Sequence, residues 1–321
     1  MRRSFLDQFG RSCARVEKVS LHERLNAARR VRHKIYKTAL IAMILVTGMT
    51  AFAQLSFQRG RNGRNRSLDP FREPTQFLID RRGVPDWGKD PEFPTDVFRF
   101  VRIMYNPRNG FYGSWQTDYP DSDLNFSFRL QQLTSLKVDP NPLVLELTDP
   151  RLFDYPFIYF CEPGGGFNGR NGGLNFSEEE ALTLRKYLDQ GGFAMFDDFW
   201  GEMEWDNYYR EIKKVFPDRE PQDLPLEHPI FHIVYDLKEK PQVPSIGYAQ
   251  QGLSYERPDA AEVHYRGFFD DHGRLMALAC HNTDLGDGWE REGEDENYFH
   301  QYSEKKAYPM GINIIFYAMT H

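Results

Sequence analysis

Between Leu152 and Trp200 the alternation of apolar and polar positions is sharp enough to give an architecture. Pro156–Cys161 is a short apolar run, too short for a helix, closed by the turn-forming sequence Glu162-Pro-Gly-Gly-Gly166. Ser177 and Glu180 stand at capping-box spacing. Ala181, Leu184 and Leu188 then follow with helical periodicity until Gly191 ends the pattern. Phe193–Phe196 is strand-like again and ends at Asp197-Asp198. Strand, helix and strand in that order predict a βαβ unit, hence a parallel sheet buried on both faces with its ligand site beyond the carboxyl ends of the strands.

The same reading extends along the chain. Val97–Tyr105 and Leu143–Leu147 are predicted strands, and between them Asp121–Asp123 cap a helix carrying Phe126, Leu130 and Leu133 on one face. Tyr208, Ile212 and Val215 mark a helix ended by Pro217, and Glu227–Leu237 reads as extended. Ala261–Phe269, the turn Asp270–Gly273 and Leu275–Cys280 predict a hairpin. Asp284–Asn297 reads as an acidic loop, and Tyr308–Thr320 as a final amphipathic helix. The predicted fold is α/β: a doubly wound, mainly parallel sheet with a C-terminal hairpin and helix.

The N-terminal segment changes what composition implies. Thr38–Ala53 is uncharged and mostly apolar, follows the basic run Arg29–Lys34 and Lys37, and ends in Ala51-Phe-Ala53. This is the pattern of a signal peptide with a long basic n-region, cleaved after Ala53. A retained N-terminal membrane anchor is the alternative, although a span needs about 20 apolar residues. Residues 54–93 read as an Arg/Gly/Asn-rich linker and lead-in, and 94–321 as the folded domain. Residues 1–53 hold 11 Lys or Arg and 3 Asp or Glu of the chain's 40 and 47. That leaves 29 basic against 44 acidic residues, a balance of −15. Such a charge argues against nucleic acid, or a membrane surface beyond the leader, as a partner. Export to a periplasm or cell envelope would place Cys161 and Cys280 in an oxidising compartment, where a disulfide and two buried thiols are both open.

Candidate chemistry gathers at predicted strand ends. Cys161 stands where a nucleophile elbow would present a thiol, but the local sequence Phe-Cys-Glu-Pro-Gly lacks the G-x-C-x-G form and Pro163 removes an N–H donor. Asp197 and Asp198 close a strand as paired carboxylates fit for acid–base work. His281 and Asp284 follow another strand end. His228 and His232 are discounted as metal ligands, because four residues along a strand span about 13 Å. The Gly-rich stretch Glu162–Gly173 matches neither G-x-G-x-x-G nor Walker A. No cofactor and no metal are expected.

Taken together, Trp115-x-x-Asp-Tyr-Pro-Asp-Ser-Asp123, Leu152-Phe-Asp-Tyr-Pro-Phe157, Gly191-Gly-Phe-x-x-x-Asp-Asp198, His228-Pro-Ile-Phe231, Asp284-Leu-Gly-Asp-Gly-Trp-Glu290 and Gly311-Ile-Asn313 resemble the bacterial domain-of-unknown-function 4159 family over residues 97–320. That resemblance implies a class I glutamine amidotransferase-like, flavodoxin-like fold in an exported setting, and no reaction. The chain departs from amidotransferases in lacking the elbow and a His-x-Glu dyad. The expectation is an exported cell-envelope module that binds a saccharide or protein segment near Tyr105, Asp123, Asp197, Asp198, His281 and Asp284. The alternative is a hydrolase using Asp197, Asp198 and His281, or less readily Cys161.

Overall fold

The computed structural model describes residues 81, 83–88, 96–106, 114–165 and 172–321, all within the unit Pro70–His321. The leader at 38–53, most of the linker, and Gly166 with the next five positions of the Gly-rich stretch lie outside the described residues. In chain order the elements are β1 Val101–Ile103, α1 Asp121–Leu133, β2 Leu143–Leu145, β3 Phe157–Cys161, α2 Glu178–Asp189, β4 Phe193–Phe199, α3 Gly201–Val215 and β5 Gln222–Asp223. There follow α4 Ile246–Ala249, β6 His264–Phe269, β7 Leu275–His281, α5 Leu285–Glu290, α6 Glu296–Tyr298, the π-helix Phe299–Ala307 and α7 Tyr308–Thr320. Among the described residues, no helix is long and apolar enough to cross a membrane.

The strands form one mixed sheet in the order β2-β1-β3-β4-β7-β6-β5. The first five are parallel to one another, while β6 and β5 are antiparallel additions at one edge. Burial on both faces explains why β3 and β4 read as unbroken apolar runs. On one face Ile158, Phe160 and Phe196 pack with Leu184 and Leu188 of α2 and Tyr208, Ile212 and Val215 of α3. On the other, Phe100 lies against Phe126, Phe157, Tyr159 and Trp289, which ties α1 and α5 to the sheet. The predicted capping box is present: Ser177 Oγ accepts from Glu180 N–H and the Glu180 carboxylate accepts from Ser177 N–H. Gly191, at φ 104°, makes the left-handed turn into β4.

Several elements differ from expectation, each for a local reason. β1 is three residues long, with Phe98 contributing only an isolated bridge to Val138. The N-cap of α1 is Pro120 with no side-chain cap, because Asp123 turns inward to Arg102, and Leu133 is exposed. Glu227–Leu237 is not extended. Pro229 has no N–H for a ladder, and His228 Nδ1 accepts from Ile230 N–H to start the 3-10 turn Pro229–Phe231. Asp284–Asn297 is not a loop throughout, since Asp284 caps α5 and buries Leu285 and Trp289. The last helix is buried nearly all round rather than amphipathic. Its Asn313 accepts from Val234 and Tyr235 N–H and donates to Tyr235 O, which fixes the turn segment beside it. Within the expected lead-in, Trp87 Nε1–H donates to Val138 O at 2.7 Å and Arg81 to Pro140 O at 2.8 Å, so both are held on the domain.

Candidate functional site: an acidic crevice at the carboxyl ends of the strands

The carboxyl ends of β1, β3, β4 and β7 share one backbone peculiarity. The non-glycine residues with positive φ among those described are Asn106, Asp118, Glu162, Asp198 and Asn282. Asn106, Glu162, Asp198 and Asn282 lie at the ends of these strands, and Asp118 lies in the segment just before α1. Left-handed backbone at a non-glycine costs about 1–2 kcal/mol per residue and concentrates at functional sites. Asp and Asn tolerate it through local hydrogen bonds, whereas Glu162, at φ 47°, has no such excuse. It is held by Tyr105, whose hydroxyl reaches Cys161 O at 2.7 Å and Glu162 O at 2.9 Å. The next turn needs Gly164, where a Cβ would come within 2.4 Å of Glu204 Cβ on α3.

The register of β3 against β4 pairs Cys161 with Asp197, so both face the α1/α5 side together with Tyr159. Asp197 Oδ2 accepts from Tyr159 Oη–H at 3.2 Å and Gly286 N–H at 3.0 Å, while its Oδ1 has no partner among the described residues. At Asp198 the ladder to β7 shifts, and the left-handed residue brings its Oδ2 to 4.0 Å from Cys161 Sγ. Asp198 Oδ1 accepts from Trp200 Nε1–H. Asp118 enters from the segment before α1 with Oδ2 unpartnered, close enough that a Cβ on Gly286 would lie 2.6 Å from it. Asp284, Asp287 and Glu290 come from the start and length of α5, and Glu162 contributes an unpartnered Oε2.

Among the described residues, these carboxyls have little compensating charge. Arg102 is the fully buried cation beside them, and it is already engaged by Asp123 at 2.6 Å with both side chains wholly buried. Arg291 on the rim pairs with Asp287, Glu290 and Glu294. Burial first, and then the neighbouring carboxylates, push Asp118, Asp198 and Asp284 well above the usual carboxylate range. Burial likewise raises Asp197, Glu162 and Glu290 each to about 7. Cys161 is pushed up by burial and then by Asp118, so its proton stays on sulfur at neutral pH.

The structure therefore brings together Tyr105, Cys161, Asp197, Asp198 and Asp284, and leaves two expected members outside. Asp123 is taken up by Arg102. His281 points away from the carboxyls: Nε2 meets Gly201 O at 3.1 Å, Nδ1 accepts from Arg266, and the ring stacks on Phe199. Burial lowers its pKa to about 3, which keeps it neutral. Cys161 and Cys280 are both free and buried, on strands β3 and β7 that are separated by β4. Two strand spacings, about 9.6 Å, exceed the reach of a disulfide.

Asp287 and Glu290 belong to the polar run from His281 that the sequence places after a strand end facing this crevice, whereas Asp118 and Glu162 are not singled out as site residues. Their signals are weak: Glu162 adjoins Cys161, and Asp118 falls within the Trp115–Asp123 motif. Two triplets, Asp118/Cys161/Asp198 and Asp118/Asp287/Glu290, have donor atoms all within 4.8 Å of one another. At the opposite, amino end of the sheet, a cleft of about 290 Å³ is lined by Phe153–Pro156, Tyr187 and Gln190–Gly192. It holds one carboxylate and none of the unpartnered oxygens, so the carboxyl edge is the better candidate.

The model of DUF4159, a domain of unknown function, matches residues 99–319, and the chain therefore belongs to that family. No match was found among curated proteins.

Proposed function

We propose that this DUF4159 chain is an exported binding module of the cell envelope, which captures a saccharide or a protein segment in the acidic crevice. The carrying observation is the set of buried carboxyl oxygens on Asp118, Asp197 and Glu162 that have no donor among the described residues. Buried acceptors left unpaired cost about 1–3 kcal/mol each, and sugar hydroxyls or the N–H groups of a peptide would satisfy them. The order of the five parallel strands supports a flavodoxin-like, amidotransferase-like fold, whose crevice opens where the helices that follow the neighbouring strands β1 and β3 pack on opposite faces of the sheet. The apolar leader with its A-x-A end supports export. Thiol catalysis is disfavoured, since Cys161 Sγ meets Thr117 O and Asp198 and, among the described residues, no imidazole that could take its proton.

The test is capture on arrays of bacterial glycans and envelope peptides, comparing the wild type with an Asp197→Asn/Asp198→Asn double variant of unchanged circular dichroism. Loss of capture in the variant supports the reading, and equal capture removes this crevice from consideration.

A second reading, a hydrolase, is favoured by carboxyls poised near neutrality, with Asp197 and Glu162 at about 7 as acid–base candidates in place of the sequestered His281. It predicts turnover of an ester, amide or glycoside that Asp198→Asn abolishes. A broad substrate panel with no difference between the two proteins would count it out.

A further inference from the structure

We infer that Asp118, Cys161 and Asp198 form a zinc site with an open fourth position. The inference rests on the reading of the acidic crevice as the ligand site, and it names what neutralises the crevice. The three donor atoms lie within 4.8 Å of one another. They come from three separate elements: the segment before α1, the end of β3 and the end of β4. Each side chain is more than nine-tenths buried or at that limit, at 9%, 0% and 8% exposure.

What points to a ligand, beyond the cluster itself, is Asp118 Oδ2. It is buried, faces the crevice beside Gly286, and has no hydrogen-bond partner among the described residues. Carboxyl oxygens in that state are expected to be bonded, protonated or bound to a cation.

The two triplets sharing Asp118 are not equivalent. Asp287 and Glu290 already have Arg291 at 3.0 and 2.8 Å, and Asp287 Oδ2 also accepts from Ile246 N–H. An ion there would displace existing pairs. Among the described residues the Asp118/Cys161/Asp198 set has no such cation, because Arg102 is committed to Asp123.

Its donor chemistry selects the metal. One thiolate with two carboxylates suits a borderline ion such as Zn²⁺, whereas Mg²⁺ and Ca²⁺ take oxygen donors only. Binding would deprotonate Cys161 and release that proton, with any carried by the carboxyls, to solvent. Three protein donors leave a fourth position for water or for an oxygen of the captured ligand.

The experiment uses purified protein stripped with EDTA and re-equilibrated with Zn²⁺, Ca²⁺ or Mg²⁺, with bound metal measured by mass spectrometry and affinity by calorimetry. Wild type should hold one zinc per chain and neither of the others. Cys161→Ser and Asp118→Asn, each with native circular dichroism in EDTA, should weaken zinc binding at least tenfold. Substoichiometric zinc in the folded wild type, or zinc held equally by both variants, would overturn the site. Failure here with capture still sensitive to Asp197→Asn/Asp198→Asn would remove the metal and leave the ligand reading standing. Zinc held through Asp118 and Cys161 by a protein that captures nothing would keep the metal and remove the ligand reading.

Discussion

The Arg102–Asp123 pair sets the position of the crevice, and cutting it should be costly. Arg102 Nε and Nη2 donate to the Asp123 carboxylate at 2.6 to 3.1 Å, Nη1 donates to Trp115 O and Thr117 O, and Nη2 also reaches Ser122 Oγ. Both partners are wholly buried. Asp123→Ala would leave a guanidinium in the core with its charge uncompensated. Breaking such a pair on one side typically costs about 3–5 kcal/mol, far above the 0–1 kcal/mol of a surface ion pair. For a domain of this size that corresponds to a loss in Tm of roughly 6–20 °C. Urea denaturation read at constant slope is the assay. Replacing both residues, Arg102→Met with Asp123→Leu, removes the stranded charge and should recover part of the loss. The Trp115 and Thr117 carbonyls lie three residues and one residue before Asp118, so amide exchange at 114–118 should accelerate in Asp123→Ala. A loss below about 1 kcal/mol, or a double variant worse than the single, would refute the assignment of Asp123 to structure rather than ligand contact.

Three further outcomes are expected. His281 is neutral in the fold, with a pKa of about 3, but takes a proton at about 6.5 when unfolded, so it contributes stability above pH 6.5 that is lost as pH falls toward 3. That loss should reach about 2 kcal/mol by pH 5 and be absent from the pH profile of a His281→Gln variant, measured by chemical denaturation. Ser177→Ala removes the Oγ that accepts from Glu180 N–H in the α2 capping box and should cost about 1 kcal/mol in the same assay, with the crevice untouched. At Gly311 a Cβ would meet Phe126 at 2.5 Å and Trp289 at 2.7 Å. Gly311→Ala should therefore destabilise by about 1–3 kcal/mol through overpacking, whereas a neutral or raised Tm would mean that α7 can shift away.

The parts of the fold that were legible are those where one physical signal acts alone. β3, α2 and β4 follow from two apolar runs around a capping box, and the β6–β7 hairpin from a Gly turn between them. α5 was hidden because its anchors are just Leu285 and Trp289 amid acidic and glycine residues, with a cap at Asp284 that reads equally well as a turn. Glu227–Leu237 was misread because its alternation of apolar residues serves packing against α7, while Pro229 denies it a ladder.

The crevice was half legible for a related reason. Strand-end logic places Asp197, Asp198 and Cys161 correctly at the carboxyl edge. It also draws in His281, since nothing in the sequence reveals that Arg266 on the neighbouring antiparallel strand occupies its Nδ1. Asp123 was misplaced in the same way, by a buried arginine distant in sequence. Asp118 depends on the left-handed turn before α1, and the donor triplet spans three elements, so no local spacing of metal ligands exists to be read.

The central claim is that this edge collects carboxyl groups whose charge the described residues balance only in part. A ¹³C NMR titration of the aspartate and glutamate side-chain carboxyls in metal-free protein tests it directly. Asp197, Glu162 and Glu290 should titrate near 7, with Asp118, Asp198 and Asp284 also above the ordinary range. Carboxyls that all titrate below about 5 would mean that the crevice is internally compensated and has no charge awaiting a ligand.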